Sequence, residues 1–147
     1  MMRTQQPRDA VCGNSRAVFG REEVHSMIRG VGLDLCEIAR MEKLTADNRF
    51  LERYFTGEET AYIRAKGKGA AQTMAGIYAA KEAFCKALGT GIAYDLKEIG
   101  IAHDTAGTPY YVLSGKAGQT GQGDCFWLSI THDGGNAAAV CIREHRD

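Results

Sequence analysis

Two charged residues four positions apart, Glu82 and Lys86, are the first candidates for chemistry in this sequence. They lie in residues 76–91, GIYAAKEAFCKALGTG, where apolar residues recur at helical spacing. On the predicted helix Ala75 and Ala79 share the charged face, so a bulky ligand has room to approach both charges. The competing interpretation is an exposed ion pair, which stabilises a helix by about 0.3–0.5 kcal/mol.

The same helix constrains how a phosphate group is bound. The apolar stripe predicted to face the core consists of Ile77, Ala80, Phe84 and Leu88. Gly89 is predicted to end the helix, because glycine readily adopts the left-handed conformation found there. The Gly-Thr-Gly sequence therefore follows a helix, whereas a phosphate-binding loop precedes one. The dipole at a helix C-terminus repels phosphate, so a phosphate bound here requires Lys86 itself.

Two further candidates stand at the ends of predicted strands. Asp34 ends a strand over residues 28–35, in which Gly30 and Gly32 suggest the close approach of another backbone or of a ligand. His132 ends a strand at a turn, and the competing interpretation is a half-buried structural histidine. On an alternating strand it shares a face with Phe126, Leu128 and Ile130.

A basic surface with an aromatic residue is predicted between these motifs. Arg40 lies on the exposed face of a short helix, and a second helix is predicted over residues 48–55. It places Arg49 and Arg53 four positions apart, with Phe50 beside them. The competing interpretation is an ordinary solvated helix face.

A capping box, Thr56-x-x-Glu59, predicts a helix from Gly57 to about Ala65. The short basic sequence Lys66-Gly67-Lys68-Gly69 then leads into the central helix. This flexible loop either reaches over a ligand or serves only as a solvated connector.

The C-terminal half changes from helical to strand patterning. Strands are predicted over residues 98–103 and 110–113, and a second hairpin over 125–132 and 136–142. Residues 114–124 have weak signals for either a short helix or a loop. The order of strand, helices and antiparallel strands predicts an α+β fold, with a long central helix packed on a small antiparallel sheet.

Length and composition fit one globular domain, with 147 residues, 44% of them hydrophobic, and a formal net charge of zero. The balanced charge argues against nucleic-acid and membrane partners. No apolar run is long enough to span a bilayer, and the five cysteines show no CxxC pair, so reduced thiols and a cytoplasmic location are expected. Residues 1–26 are expected to form a disordered or added extension, and residues 27–147 the domain.

Three motifs occur in order: Asp34 after GVGL, the run AAKEAFCKALGTG, and SITH at residues 129–132. With the capped helix between the first two, they resemble the holo-acyl-carrier-protein synthase family of 4′-phosphopantetheinyl transferases over about residues 27–143. The resemblance implies that family's fold and the transfer of phosphopantetheine from coenzyme A to a serine of apo-acyl carrier protein, which releases adenosine 3′,5′-bisphosphate. It also implies a role in fatty acid biosynthesis, although the sequence leaves a polyketide carrier protein open.

The resemblance assigns catalytic roles to Asp34, Glu82 and Lys86. Asp34 and Glu82 match the Mg²⁺ carboxylates, and magnesium prefers oxygen ligands. Lys86 matches the lysine that binds the pyrophosphate. His132 matches a histidine that contacts the 3′-phosphate of coenzyme A. Additional coenzyme A-binding candidates are Lys68, Lys66, Arg64, Gly89 and Thr131. The sequence does not identify the general base, for which Glu82 and a metal-bound water ordered by Asp34 are both candidates.

The resemblance also implies protein contacts. Arg40 matches an arginine that meets the acidic recognition helix of the carrier protein, and Arg49, Phe50 and Arg53 extend that surface. It further implies a homotrimer with active sites between neighbouring chains, in which His132 acts in the site of an adjacent chain.

Three features depart from the family pattern. Ile77 replaces an arginine that contacts a coenzyme A phosphate in many relatives, Thr131 replaces a serine, and the segment between Met41 and Arg49 is shorter. One competing interpretation is a non-catalytic module that binds coenzyme A or a carrier protein, and another is an ordinary α+β interaction domain. Retention of both metal carboxylates argues against the first.

Overall fold

The computed structural model of the chain describes residues 25–146. The expected extension, residues 1–26, lies outside the described residues except for its last two, and Ser26 already belongs to a strand. The N-terminal part contains one strand and four helices: β1 Ser26–Glu37, α1 Ile38–Glu42, α2 Asn48–Tyr54, α3 Gly57–Ala65 and α4 Ala70–Leu88. The C-terminal part contains β2 Ile99–His103, β3 Pro109–Leu113, α5 Gly115–Thr120, β4 Asp124–Asp133 and β5 Asn136–Arg146.

The strands form two antiparallel sheets. One sheet has the order β1-β5-β4, and the other contains β2 and β3. Both predicted hairpins are confirmed, as is the α+β class. The β4–β5 turn is tight because Gly134 and Gly135 have φ angles of 55° and 82°, as tight hairpin turns require.

Helix α4 crosses the larger sheet and approaches β1 backbone to backbone. A Cβ atom on Gly30 would lie 1.9 Å from the carbonyl oxygen of Ala87, and one on Gly32 would lie 1.8 Å from that of Ala83. The close approach predicted from these glycines is therefore confirmed, and the approaching group is the backbone of α4. This contact brings Asp34, two residues beyond Gly32, beside the helix.

The predicted core face of α4 is confirmed at three of its four positions. Ile77, Ala80 and Phe84 are buried, whereas Leu88 is half-buried. The helix ends as predicted, with Gly89 at a φ angle of 73°. It starts at Ala70, six residues before the segment that predicted it.

A buried ion pair connects the capping box to α4. Thr56 and Glu59 exchange the two predicted hydrogen bonds, of 3.1 and 2.9 Å. The buried Glu59 carboxylate also accepts from the backbone nitrogen of Ile101 at 2.7 Å and from Nζ of Lys81 at 2.8 Å. One glutamate thus connects α3, α4 and β2, a role that the sequence motif alone did not reveal.

Two segments that the sequence predicts as a loop, or as either a loop or a short helix, contain regular secondary structure. The basic sequence after α3 is a single 3-10 turn, Gly67–Gly69, and residues 114–124 contain α5. Among the described cysteines, Cys36, Cys85 and Cys141 are free thiols, and Cys12 lies outside the described residues. None of the helices in the described part of the chain is both long and apolar enough to cross a membrane.

Candidate active site

Three of the predicted residues meet where β1 packs on α4. Nζ of Lys86 donates to Oδ1 of Asp34 at 2.8 Å and to the carbonyl oxygen of Leu33 at 3.0 Å. Glu82 lies one helical turn before Lys86, and its carboxyl group contacts that of Asp34. Lys86 is therefore paired with the strand and not with Glu82, so the simple helix-surface ion pair is wrong. Asp34, Glu82 and Lys86 are called the acidic site below.

The two carboxyl groups of the acidic site are partly shielded from solvent. Asp34 is 8% exposed and Glu82 is half-buried. Burial and the neighbouring Asp34 carboxylate raise the pKa of Glu82, although Tyr78 and Lys86 partly offset this. The hydrogen bond to Asp34 raises the pKa of Lys86, which therefore stays charged. Two close carboxylates are stabilised by a cation, and the lysine supplies only one positive charge.

The donor set of the acidic site fits magnesium better than a metal bound entirely by protein. Within residues 25–146, no group of three or more His, Cys, Asp or Glu side chains could hold a metal ion. Magnesium is usually bound through one or two carboxylates, with water and substrate phosphate completing its shell. Asp34 and Glu82 are such a pair.

Tyr78 is a member of this region that the sequence analysis missed. It precedes Glu82 by four residues on α4, so the two side chains are neighbours on the helix surface, and hydrogen bonding between its hydroxyl group and the Glu82 carboxylate contributes to the pKa shifts of both groups. Burial and the Glu82 charge raise the pKa of Tyr78 to about 12, so this hydroxyl keeps its proton. A tyrosine one turn from a candidate metal ligand was the signal that could have identified it.

The ring of Tyr78 also contacts the predicted basic surface. Its centroid lies 6.3 Å from those of Phe50 and Tyr54, and the Arg40 guanidinium carbon lies 5.7 Å from it. Arg53 lies over the ring of Tyr54 at 5.3 Å. The exposed residues of this surface are Arg40, Arg49 and Arg53, whereas Phe50 is half-buried. The basic surface thus adjoins the acidic site through Tyr78.

His132 lies elsewhere, near the start of α4. It is exposed, so the interpretation as a half-buried structural histidine is wrong: β4 extends beyond the core here. Its Nε2 atom lies 2.8 Å from Nε2 of Gln72. The exposed Lys68 precedes Gln72 by four residues, in the 3-10 turn. Lys68, Gln72 and His132 are called the histidine group below.

The remaining coenzyme A-binding candidates are dispersed. Nζ of Lys66 lies 4.5 Å from the centroid of the Tyr62 ring. The guanidinium group of Arg64 donates to Oδ1 of Asn48 at 2.7 Å. Both residues line a cleft of about 390 Å³ between α2 and α3. Thr131 is exposed on β4 beside His132, and Gly89 is exposed after Lys86. Ile77 is 1% exposed, so the position at which the resemblance implies an arginine faces the core here.

The acidic site and the histidine group are well separated within one chain. Gln72 and Glu82 are ten residues apart on α4, which corresponds to about 15 Å along the helix axis. Across the sheet, β5 lies between Asp34 on β1 and His132 on β4, a separation of roughly 10 Å. The fold therefore presents two groups of candidate residues.

Comparisons with known proteins agree on one family. A family model for the 4′-phosphopantetheinyl transferase superfamily matches residues 30–141. A holo-[acyl-carrier-protein] synthase from Treponema denticola is 47% identical over 122 residues, covering 80% of this chain and 99% of the relative. One from Trichlorobacter lovleyi is 44% identical over 125 residues, covering 80% and 98%.

Solved structures give the same result. The chain superposes on a holo-(acyl-carrier-protein) synthase from Bacillus anthracis in complex with CoA (3′,5′-ADP) with a TM-score of 0.70 and 34% identity, covering 81% of this chain and 98% of that one. The corresponding values for the Helicobacter pylori synthase in complex with coenzyme A are 0.68 and 32%, covering 77% and 98%.

Proposed function

The chain belongs to the 4′-phosphopantetheinyl transferase superfamily, and we propose that it transfers the 4′-phosphopantetheine group of coenzyme A to a serine of apo-acyl carrier protein. The second product is adenosine 3′,5′-bisphosphate. The observation that carries this proposal is the convergence of Asp34, Glu82 and Lys86 from β1 and α4. We place the reaction in the cytoplasm and in fatty acid biosynthesis.

Asp34 and Glu82 would hold a magnesium ion. Such an ion, when bound, would supply Lewis-acid polarisation of the pyrophosphate and neutralise charge on the leaving group. Tyr78 would orient Glu82 through its hydrogen bond. The backbone contact between β1 and α4 would hold the two carboxylates at a constant separation.

Lys86 would bind the pyrophosphate of coenzyme A. It lies in the last turn of α4, where the negative end of the helix dipole disfavours a phosphate. Its side chain is 53% exposed, so the ammonium group can reach a substrate while its charge remains fixed by Asp34. A lysine is therefore required where the backbone itself would repel the ligand.

The basic surface of Arg40, Arg49, Phe50 and Arg53 would bind the acyl carrier protein. The three arginines would attract an acidic partner, and the rate of association would decrease with salt. Since Tyr78 contacts both Arg40 and Glu82, a carrier protein bound here would have its serine close to the acidic site.

We also propose that the chain forms a homotrimer with shared active sites. Val31, Leu33 and Leu35 alternate along β1 and are 59%, 64% and 66% exposed, an apolar strand face that a neighbouring chain would cover. The separation of the histidine group from the acidic site further supports a site in which His132 comes from the adjacent chain and contacts the 3′-phosphate.

The decisive experiment incubates the protein with apo-acyl carrier protein, coenzyme A and Mg²⁺ and measures the carrier mass. We expect the mass increase of one phosphopantetheine group with the native chain and at least about a hundredfold slower transfer with Glu82→Gln. Fatty-acid and polyketide carriers, tested in parallel, identify the preferred partner. Binding of coenzyme A without any mass increase would favour the alternative, a non-catalytic binding module.

A further inference from the structure

The side chain of Gln72 contacts His132, the residue proposed above to bind the 3′-phosphate of coenzyme A. Gln72 is the third residue of α4 and is half-buried, whereas His132 is exposed near the end of β4. The side-chain nitrogen of Gln72 lies 2.8 Å from Nε2 of His132. This side-chain contact joins the first turn of α4 to the last residues of β4.

The chemistry of the two groups determines the direction of this hydrogen bond. An amide nitrogen carries two hydrogens and does not accept, so Gln72 donates and Nε2 of His132 accepts. A neutral imidazole that accepts through Nε2 keeps its proton on Nδ1. The contact therefore selects one tautomer of His132 and restrains rotation of its ring.

We propose that Gln72 is a positioning residue in the subsite for the 3′-phosphate of coenzyme A. By fixing the tautomer and orientation of His132, it presents the Nδ1–H group as a donor to the phosphate. Lys68, on the turn that leads into α4, adds a positive charge to the same subsite. The inference rests on the proposed function, because it takes His132 as a contact of the 3′-phosphate.

The test compares coenzyme A with 3′-dephospho-coenzyme A, which lacks only the phosphate in question. Gln72→Leu keeps the approximate size of the side chain and removes the hydrogen bond. We expect the KM for coenzyme A to increase about three- to tenfold, with kcat changed less than about twofold and the KM for the dephospho substrate unchanged. The matched control is Gln119→Leu, at an exposed glutamine on α5, which should alter neither KM.

A second variant separates failure of the inference from failure of the proposed function. His132→Ala should also raise the KM for coenzyme A selectively, and the double variant should be no worse than His132→Ala alone. If His132→Ala is selective and Gln72→Leu behaves like the native chain, the role of Gln72 is refuted while the proposed function stands. If His132→Ala does not distinguish the two substrates, the 3′-phosphate assignment of His132 is wrong, and the inference fails with it.

A spectroscopic measurement keeps the inference testable even where Gln72→Leu does not fold. In the native protein the ¹⁵N signals of His132, assigned by their loss in His132→Ala, should show a protonated Nδ1 and an unprotonated Nε2 in the neutral ring. Gln72→Leu should show a mixture of tautomers. Protonation of Nε2 in the neutral native ring would overturn the proposed hydrogen bond.

Discussion

The hydroxyl group of Tyr78 is the group beside the acidic site that can fix the orientation of Glu82. Its ring is held between Arg40 and a cluster of aromatic rings, and its hydrogen bond reaches Glu82. A carboxylate that must bind a metal ion is improved by a neighbour that restricts its rotation. The tyrosine supplies that restriction without adding charge.

Tyr78→Phe should therefore weaken magnesium use while leaving the fold intact. We expect about a three- to tenfold higher Mg²⁺ concentration for half-maximal transfer, because the ring packing is retained and only the donor to Glu82 is lost. A Mg²⁺ titration of the transfer rate measures this. Tyr54→Phe is the matched control, since it removes a hydroxyl group from the same aromatic cluster, and an equal effect of both substitutions would contradict the role of Tyr78.

At the scale of elements, α4 and β1 together build the acidic site. The negative C-terminal end of the helix dipole lies at Lys86, where a metal ion would also bind. The positive N-terminal end lies beside the histidine group. The strand contributes Asp34 only because Gly30 and Gly32 allow the two backbones to approach. Site geometry therefore depends on residues that have no side chain.

Gly32→Ala should destabilise the protein by more than about 2 kcal/mol, because the added methyl group would overlap the Ala83 carbonyl. Urea denaturation measures the free energy of unfolding. Gly57→Ala is the control: no atom lies within 4 Å of its added methyl group, and alanine in the first turn of α3 should stabilise by about 0.5–1 kcal/mol. Similar values for both variants would be inconsistent with the described packing of β1 on α4.

Glu144, near the C-terminal end of β5 in the larger sheet, should make the stability of the protein depend on pH in the acidic range. Hydrogen bonds from Ser26 and Trp127 lower the pKa of Glu144 to about 2. In the unfolded chain this carboxyl titrates near its ordinary value, so between the two pKa values the unfolded state binds more protons. The stabilisation from Glu144 is complete above the higher value and is lost as the pH falls towards 2. Urea midpoints measured from pH 6 to 2.5 should decrease less for Glu144→Gln than for the native chain.

At the scale of the whole molecule, the single chain separates residues that the proposed reaction would use together. The acidic site and the basic surface lie together, whereas the histidine group lies at the other end of α4. An exposed apolar strand face offers the contact through which neighbouring chains would complete each site.

Charge reversal of the basic surface should affect one substrate only. Arg40→Glu is expected to raise the KM for acyl carrier protein at least about tenfold and to leave the KM for coenzyme A nearly unchanged. Steady-state kinetics with each substrate varied in turn measures both constants. Equal damage to the two constants would argue against a docking role for Arg40.

Mixing two impaired variants should restore activity if sites are shared. At a coenzyme A concentration well below the raised KM of His132→Ala, homotrimers of Glu82→Ala and of His132→Ala both transfer slowly because neither contains a complete site, but mixed trimers pair an intact Glu82 with an intact His132 from different chains. Co-refolding should therefore recover part of the transfer rate. Recovery should be absent in a mixture of Glu82→Ala with Asp34→Ala, since those residues belong to the same half of the site. Verified mixed trimers without activity would exclude the shared site.

Local patterns in the sequence determined most of the elements and one half of the site. Three local patterns act over only a few residues: the Thr56-x-x-Glu59 box, Gly89 after Leu88, and the glycine pair Gly134-Gly135 between β4 and β5. The helix and turn boundaries that they set can therefore be predicted without knowing the fold. The three motifs likewise gave Asp34, Glu82 and Lys86 as candidates, because their types and order are present in the chain itself.

Tertiary structure alone decided which of these residues meet. Lys86 pairs with Asp34, 52 positions away, and not with Glu82 on its own helix. The environments of Tyr78, Lys81 and Gln72 likewise depend on elements distant in sequence. Such contacts are set by how α4 lies on the sheet, and that placement comes from the summed burial of the core and from the backbone approach at Gly30 and Gly32. The two glycines indicated a close approach, but no local pattern encodes which element approaches or in which register.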